Sequence, residues 1–316
     1  MTEAGKGILA MIVACTIWGI SPIYYKELSH VPALEVLSHR IWWSLVFFAG
    51  ALALQSRLGE LVRVLRNKRT ATLLVVSSIM VTTNWFLFIL GIQLGRTTET
   101  SLGYYIYPLV AILIGRFVFS ERLDLAQWSA VALATAAVSI LTFGLGVTPW
   151  ISLILAITFG LYGLIKKRLD IGPVVSVTCE ILFFIPLALG LLVVTHAQGQ
   201  GAFGQNLQDT WMLILSGPIT GLPLILFSYA ARRIAMTTLG LLQYLNPSLQ
   251  FFCAVVIFSE PFGPWHAIAF PLIWLALAVY SVSSLRQDHA ARKAASASAG
   301  VSTEDRKPAS EASANP

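Results

Sequence analysis

The 316-residue chain is 56% hydrophobic and only 11% charged. This excludes an ordinary soluble domain, in which about a quarter of the residues carry charge. A mean hydropathy of +0.75 indicates that lipid is the solvent for most of the chain. The formal net charge of +6 therefore bears on orientation in a membrane rather than on nucleic-acid binding.

Ten apolar runs follow one another along the chain, and each is close to the length of about 20 residues that a membrane-spanning helix needs. The sequence therefore predicts an all-α integral membrane protein with ten transmembrane helices, five in each half. The predicted spans are Gly7–Tyr25, Leu34–Leu54, Thr72–Ile92, Ser101–Phe119, Gln127–Phe143, Trp150–Ile165, Val174–Thr195, Thr210–Ala230, Thr238–Phe258 and Trp265–Leu285.

The second half of the chain repeats the first. Leu102–Glu121 matches Leu241–Glu260 without a gap, and both copies carry an early Tyr-x-x-Pro and a final Ser-Glu. Such repeats are typical of transporters built from two homologous halves. We predict five-helix repeats at residues 1–145 and 146–286. The tail, 287–316, is poor in large apolar side chains and is predicted to be disordered and cytoplasmic.

Basic residues indicate how the chain crosses the membrane. Eighteen of the 21 Lys and Arg residues collect on alternate connections and the tail, whereas the opposite connections hold only Lys26 and Arg96. Because cytoplasmic loops are enriched in Lys and Arg, both termini are expected on the cytoplasmic side. With five spans per half, the second half must enter the membrane from the opposite side. The sequence thus predicts an inverted-topology repeat.

Ionisable residues open the second predicted span. Glu35 and His39 are four residues apart and share a helix face, and Arg40 is adjacent. A substrate or proton site near the external mouth is one interpretation. An interfacial cluster that pairs locally and extends to water is the other. Glu180, the only acid in the seventh span, corresponds to His39 in the repeat and would either complete a buried pair or carry a proton.

Uncharged polar residues and prolines mark other spans. Asn84 and Trp85 in the third span could either join helices by hydrogen bonds or contact a ligand. Gln243 and Tyr244 in the ninth span have the same two possible roles, hydrogen bonding between helices or contact with a ligand. Pro108 and Pro247 each remove one backbone hydrogen bond and are expected to bend their spans near corresponding depths. The eighth span holds two glycines and two prolines and is expected to be interrupted: Gly217, Pro218, Gly221 and Pro223.

Two glutamates end the repeated stretches. Glu121 and Glu260 each precede a turn, where an acid is expected to cap the following helix or to act in gating. Direct contact with a ligand is the other interpretation. The sequence contains no recognisable nucleotide-binding loop, metal-ligand spacing or nucleophile elbow. We therefore expect no cofactor, no metal site and no enzymatic activity.

Four long motifs occur in order along the chain: PALEVLSHRIWWS (Pro32–Ser44), TNWFLFILG (Thr83–Gly91), SLGYYIYPL (Ser101–Leu109) and GLLQYLNPSLQF (Gly240–Phe251). Together they resemble the RarD-type branch of the EamA transporters, in the drug/metabolite transporter superfamily. The resemblance implies two inverted five-helix repeats, a plasma-membrane location and a central cavity. Tyr107 departs from the pattern, since the second copy has an Asn at the matching position. By motif, the matching site positions are Glu35, His39, Arg40, Asn84, Trp85, Tyr105, Pro108, Gln243, Tyr244 and Pro247.

We expect a secondary transporter, and specifically an exporter, that works by alternating access. The resemblance implies small organic solutes such as amino acids, metabolites or chloramphenicol-like drugs. The substrate would contact Asn84, Trp85, Tyr105, Gln243 and Tyr244. Glu35, His39 or Glu180 could couple protons, and the oligomeric state, monomer or homodimer, is open. The alternative is a membrane-embedded sensor or scaffold whose basic tail binds a partner or anionic lipid.

Overall fold

The computed structural model describes residues 2–119, 123–146, 148–231, 233–234, 239 and 242–304. These residues form helices and connecting turns, and contain no strand. The helices are α1 (Glu3–Glu27), α2 (Ala33–Leu54), α3 (Leu58–Arg66), α4 (Lys68–Gln93), α5 (Thr97–Phe119), α6 (Leu125–Leu145), α7 (Trp150–Lys167), α8 (Pro173–Ala197), α9 (Leu207–Ala231), α10 (Leu245–Phe252) and α11 (Pro264–Glu304). A π-helical turn, Cys253–Ile257, continues α10.

Seven of the described helices are long and apolar enough to cross a membrane, namely α1, α2, α4, α6, α8, α9 and the first part of α11. Two shorter apolar helices lie at Trp150–Lys166 and Leu245–Ile257. The structure therefore confirms an all-helical protein with several candidate membrane spans. The count of ten spans, the inversion of the two halves and the disorder of residues 287–316 stay predictions, although α11 extends to Glu304.

The helix α3 lies in the connection between the second and third predicted spans, which is one of the basic connections. It has no buried residue, but its apolar side chains Leu61, Val64 and Leu65 pack against a small cluster that includes Leu74 and Cys179. Its polar face carries an exposed ion pair between Arg57 and Glu60 at 2.7 Å. α3 is thus an amphipathic helix, and its nine residues are too few to span a bilayer.

The helices pack in pairs around two main apolar clusters. α2 lies against α8 and α9, α5 lies against α7, and α6 lies against α11. The first cluster joins α2, α4, α7 and α8 through residues such as Val36, Ile89, Leu155 and Ile181. The second joins α5, α6 and α11 through residues such as Leu109. Many hydrophobic side chains outside these clusters are exposed, as expected for helices whose outer faces meet lipid.

The expectation that the eighth predicted span is interrupted is wrong. α9 runs unbroken from Leu207 to Ala231 with both prolines inside it. Its glycines serve close packing instead. A methyl group added to Gly217 would lie 2.4 Å from the backbone oxygen of Trp43, and one added to Gly221 would lie 2.4 Å from the ring of Phe47. Small residues four apart let two membrane helices approach closely, which accounts for the contact of α9 with α2.

The two repeated prolines occupy different local structures. Pro108 lies inside α5, which continues through it to Phe119. Pro247 lies in the first turn of α10, directly after a turn at Tyr244. Because Pro247 has no N–H, the carbonyl of Gln243 lacks its usual helical donor four residues on, which explains an interruption at this point.

Glu260 caps a helix, but a different one from the helix that follows it. Its Oε1 accepts the backbone N–H of Thr97 at 2.7 Å, and its Oε2 accepts the N–H of Thr98 at 2.7 Å. It therefore satisfies the free donors at the start of α5, in the other half of the chain. The matching residue, Glu121, lies outside the described residues.

Candidate functional site

Three ionisable side chains lie buried in the first part of α2. Glu35, His39 and Arg40 are 1%, 4% and 6% exposed, so none of them extends to the surface of the protein. Two further residues of α2, Trp43 and Ser44, follow one turn later and also place polar atoms in the interior. We call Glu35, His39, Arg40, Trp43 and Ser44 the α2 polar cluster.

One side of the α2 polar cluster is covered by the connection between α8 and α9. The backbone N–H of Ala202 donates to Glu35 Oε1 at 2.7 Å. The ring of Phe203 stacks on the imidazole of His39, with centroids 5.1 Å apart, and approaches the indole of Trp43 at 6.1 Å. His39 Nε2 lies 4.0 Å from Glu35 Oε1, so these two residues, which are predicted to share a helix face, are direct neighbours. This connection therefore covers the amino-terminal half of α2.

Arg40 lies between aromatic rings. Its guanidinium carbon is 4.2 Å from the centre of the Trp85 ring and 5.7 Å from that of Tyr25. Contact with ring faces stabilises a cation, by about 2 kcal/mol where the pair is desolvated. Among the described residues no carboxylate lies within ion-pair distance of Arg40, and its Nε and Nη1 have no hydrogen-bond partner.

Unpartnered buried polar atoms concentrate in the α2 polar cluster. In the described part of the chain, seven of the eleven such side-chain atoms belong to it. Folded proteins satisfy nearly all buried polar groups, so each exception calls for an explanation. The seven atoms are Glu35 Oε2, both ring nitrogens of His39, Nε and Nη1 of Arg40, Trp43 Nε1 and Ser44 Oγ. Most of them can donate a hydrogen bond, so the cluster could bind an acceptor group.

Glu180 lies in a second cluster, and here the carboxylate is fully partnered. Its Oε1 accepts from Ser77 Oγ at 2.5 Å and from Lys166 Nζ at 2.7 Å, and its Oε2 accepts from the hydroxyl of Tyr162 at 3.3 Å. Lys166 Nζ also donates to Ser176 Oγ. We call Ser77, Tyr162, Lys166, Ser176 and Glu180 the α8 polar cluster. It joins α4, α7 and α8 through a buried ion pair.

The two polar clusters occupy corresponding places in the repeat. An offset of 141 residues places His39 against Glu180, Glu35 against Ser176 and Tyr25 against Lys166. The sequence alone points to the first of these pairs, and Lys166 belongs to the basic connections that are predicted to be cytoplasmic. The same offset could have identified Lys166, because it places Lys166 opposite Tyr25, the residue whose ring contacts Arg40. The α8 polar cluster holds a closed Lys166–Glu180 ion pair, whereas the α2 polar cluster keeps seven side-chain atoms without a hydrogen-bond partner.

Asn84 joins three helices. Its Nδ2 donates to the carbonyl of Leu155 at 3.0 Å and to Thr158 Oγ1 at 3.1 Å, while its Oδ1 accepts from Tyr104 at 2.8 Å. These bonds tie α4 to α5 and α7, so in this conformation Asn84 serves packing. The next residue, Trp85, faces Arg40 instead.

The other predicted substrate-contacting residues lie apart from Trp85. Tyr105 is buried in the second apolar cluster, its hydroxyl 2.8 Å from Ser248 Oγ and its ring against Phe270. Tyr244 packs against the same cluster, and Gln243 beside it is half-buried. Trp85 packs against the first cluster. The structure thus places Tyr105 and Tyr244 in one apolar cluster and Trp85 in the other.

Known proteins resemble the chain over most of its length. The model of the EamA-like transporter family matches residues 5–143. An uncharacterised transporter of Vibrio cholerae serotype O1 is 41% identical over 296 residues, covering 92% of this chain and 97% of that relative. A protein RarD of Streptomyces exfoliatus is 39% identical over 311 residues, covering 97% and 98%. A crystal structure superposes with a TM-score of 0.58 at 18% identity, covering 89% of this chain and 97% of the other, and shows a shared fold.

Proposed function

The chain belongs to the RarD-type branch of the EamA-like transporter family, and we propose that it is a secondary transporter, specifically an exporter, of small organic solutes. One observation carries the proposal: the α2 polar cluster places unpartnered donors inside an apolar helical protein. Such groups are costly in a membrane protein and commonly mark the path of a solute. Amino acids, small metabolites and amphenicol drugs are the solute classes that we would test.

The mechanism that we propose is alternating access between two polar clusters. The Lys166–Glu180 pair would close the cytoplasmic side by holding α7 against α8. The connection carrying Ala202 and Phe203 would close the external side by covering α2. Exchange of these two closures would expose the α2 polar cluster first to one side and then to the other. The corresponding positions of the clusters in the repeat support this exchange.

The orientation in the membrane is part of the proposal. We place the protein in the plasma membrane with both termini in the cytoplasm, as the distribution of Lys and Arg indicates. Under this orientation the start of α8 lies at the cytoplasmic side and the start of α2 at the external side.

Proton coupling would use the acidic and imidazole groups of the two clusters. Glu35 and His39 are adjacent, and one carboxylate oxygen and both ring nitrogens are unpartnered, so these groups could exchange a proton with an entering solute. Glu180 is paired with Lys166 and could take up a proton only when that pair opens. Solute binding and protonation could thus be linked through the same movement.

The test of the proposed function is solute flux in proteoliposomes. We expect the purified protein to move at least one labelled amino acid, metabolite or amphenicol faster than protein-free vesicles do. An imposed pH gradient should change the rate. Glu35→Gln, His39→Gln and Glu180→Gln should each be measured against Glu60→Gln, which neutralises an exposed acid on α3. If none of the solutes crosses the membrane faster than in protein-free vesicles, the proposal that the protein is a transporter is overturned. Coupling unchanged in all three variants would overturn the proton role alone.

A further inference from the structure

We infer that Arg40 is the anion-binding residue of the transporter, and that the transported solute carries a single carboxylate. The inference rests on the proposed function and narrows its substrate class. It follows from a cation that is buried, lies between Trp85 and Tyr25, and has no counter-charge within ion-pair distance among the described residues.

Comparison with other arginines shows that Arg40 is unusual. Arg96 also lies over an indole, that of Trp150 at 5.8 Å, but it forms an ion pair with Glu99. Arg233 lies over the ring of Tyr229 and is paired with Glu3. Both of these guanidiniums are also more exposed than Arg40. Among the described arginines that contact an aromatic ring, Arg40 therefore differs from Arg96 and Arg233 in having no carboxylate partner.

An unpaired buried cation needs a reason to persist. Removing a charge from water without a partner is unfavourable, and ring contacts offset only part of the cost. A purely structural role would be served as well by an apolar side chain of the same volume. A ligand that brings its own negative charge supplies the missing partner, because binding then pairs the cation and gives an unpartnered guanidinium N–H an acceptor.

The chemistry of the guanidinium suits a carboxylate. The guanidinium is a planar fork whose parallel N–H groups match the two oxygens of a carboxylate. Ser44, four residues on, lies on the same helix face as Arg40, and its buried hydroxyl is also unpartnered. One guanidinium neutralises one negative charge, so a doubly charged phosphate would leave excess negative charge in a buried site. Trp85 and Tyr25, which flank the guanidinium, would border the apolar part of the solute.

Binding by the full-length purified protein tests this inference. The probes are benzoate, phenylacetate and indole-3-acetate, each against its primary amide, and phenyl phosphate as the dianion. Ligands that bind the folded state raise the apparent melting temperature, and titration calorimetry gives the dissociation constants. We expect at least one carboxylate to bind about tenfold or more tightly than its amide and than phenyl phosphate. Arg40→Gln should abolish that preference, whereas the matched variant Arg96→Gln should keep it.

Four results would overturn the carboxylate site. These are equal effects of carboxylates and amides on the wild-type protein, tighter binding of phenyl phosphate, a preference that survives in Arg40→Gln, or one that is lost equally in Arg96→Gln. If Arg40→Gln does not fold, Arg40→Met gives the same readout, since an apolar chain of similar volume suits the buried position.

Flux of the same probes into proteoliposomes separates this inference from the proposed function. Arg40-dependent binding without any flux keeps the anion site and overturns the transporter. Flux of neutral solutes with no preference for carboxylates keeps the transporter and overturns the anion site.

Discussion

Glu180→Gln should destabilise the protein because it leaves the Lys166 ammonium without its carboxylate partner. The Glu180 side chain is 1% exposed and that of Lys166 is 22% exposed, so the pair is largely withdrawn from solvent. Breaking a fully buried ion pair costs about 3–5 kcal/mol. The partial exposure of Lys166 lowers the expected cost of this variant to about 2–4 kcal/mol.

Lys166→Met is the reciprocal change and should cost about 3–5 kcal/mol, since the remaining carboxylate is more deeply buried. The double variant Glu180→Met/Lys166→Met replaces the pair by apolar side chains and should lie within about 1 kcal/mol of the wild type. The non-additivity of the two changes is the specific signature of the ion pair.

The assay for these variants is denaturant unfolding in mixed micelles, followed with a thiol-reactive fluorophore. Cys15, Cys179 and Cys253 are free and buried, so they should react only as the helices separate. Glu60→Gln on the exposed face of α3 is the control and should change stability by less than about 1 kcal/mol. Stability unchanged in both single variants would refute the pair, and so would a double variant destabilised by the sum of the two.

Three further predictions address helix packing, capping and the buried cation. Gly217→Ala should lower the free energy of unfolding by about 1–3 kcal/mol because its methyl group meets the backbone of α2. Gly190→Ala has open space and should leave the stability unchanged or raise it. Equal melting temperatures of the two variants would contradict this reasoning. Glu260→Ala should lower the free energy of unfolding by about 1–3 kcal/mol because it leaves N–H donors at the start of α5 without an acceptor. Glu260→Gln should lower it by less, and thermal unfolding of the two variants measures the difference. Without solute, Arg40→Met should unfold at or above the melting temperature of the wild type. A large drop in melting temperature would contradict a binding role for Arg40.

The sequence predicts the helices well because a spanning helix satisfies its own backbone and needs only a long apolar run. It also singles out Glu35, His39 and Arg40, since charge inside such a run is conspicuous. It does not predict which side chains meet. Lys166 ends its apolar run and therefore resembles a cytoplasmic charge, yet tertiary packing brings it to Glu180.

Two errors share the same physical origin. Gly217 on its own is compatible with a broken helix and with close packing, and only the position of Trp43 shows that packing is correct. Glu260 could cap whichever helix start lies nearby, and that start belongs to the other half of the chain. The sequence likewise names Trp85 and Tyr105 as substrate contacts but does not give the direction in which each side chain points. The predicted cavity lining therefore divides between two apolar clusters.

Access to the α2 polar cluster from both sides of the membrane tests the central claim most directly. Ser44→Cys would be placed in a protein whose Cys15, Cys179 and Cys253 are replaced by Ala, and then exposed to a membrane-impermeant, sulfonated thiol reagent. We predict labelling in both right-side-out and inside-out vesicles, slowed by a bound carboxylate. Labelling from one side alone, or from neither, with the carboxylate present or absent, would contradict alternating access at this cluster.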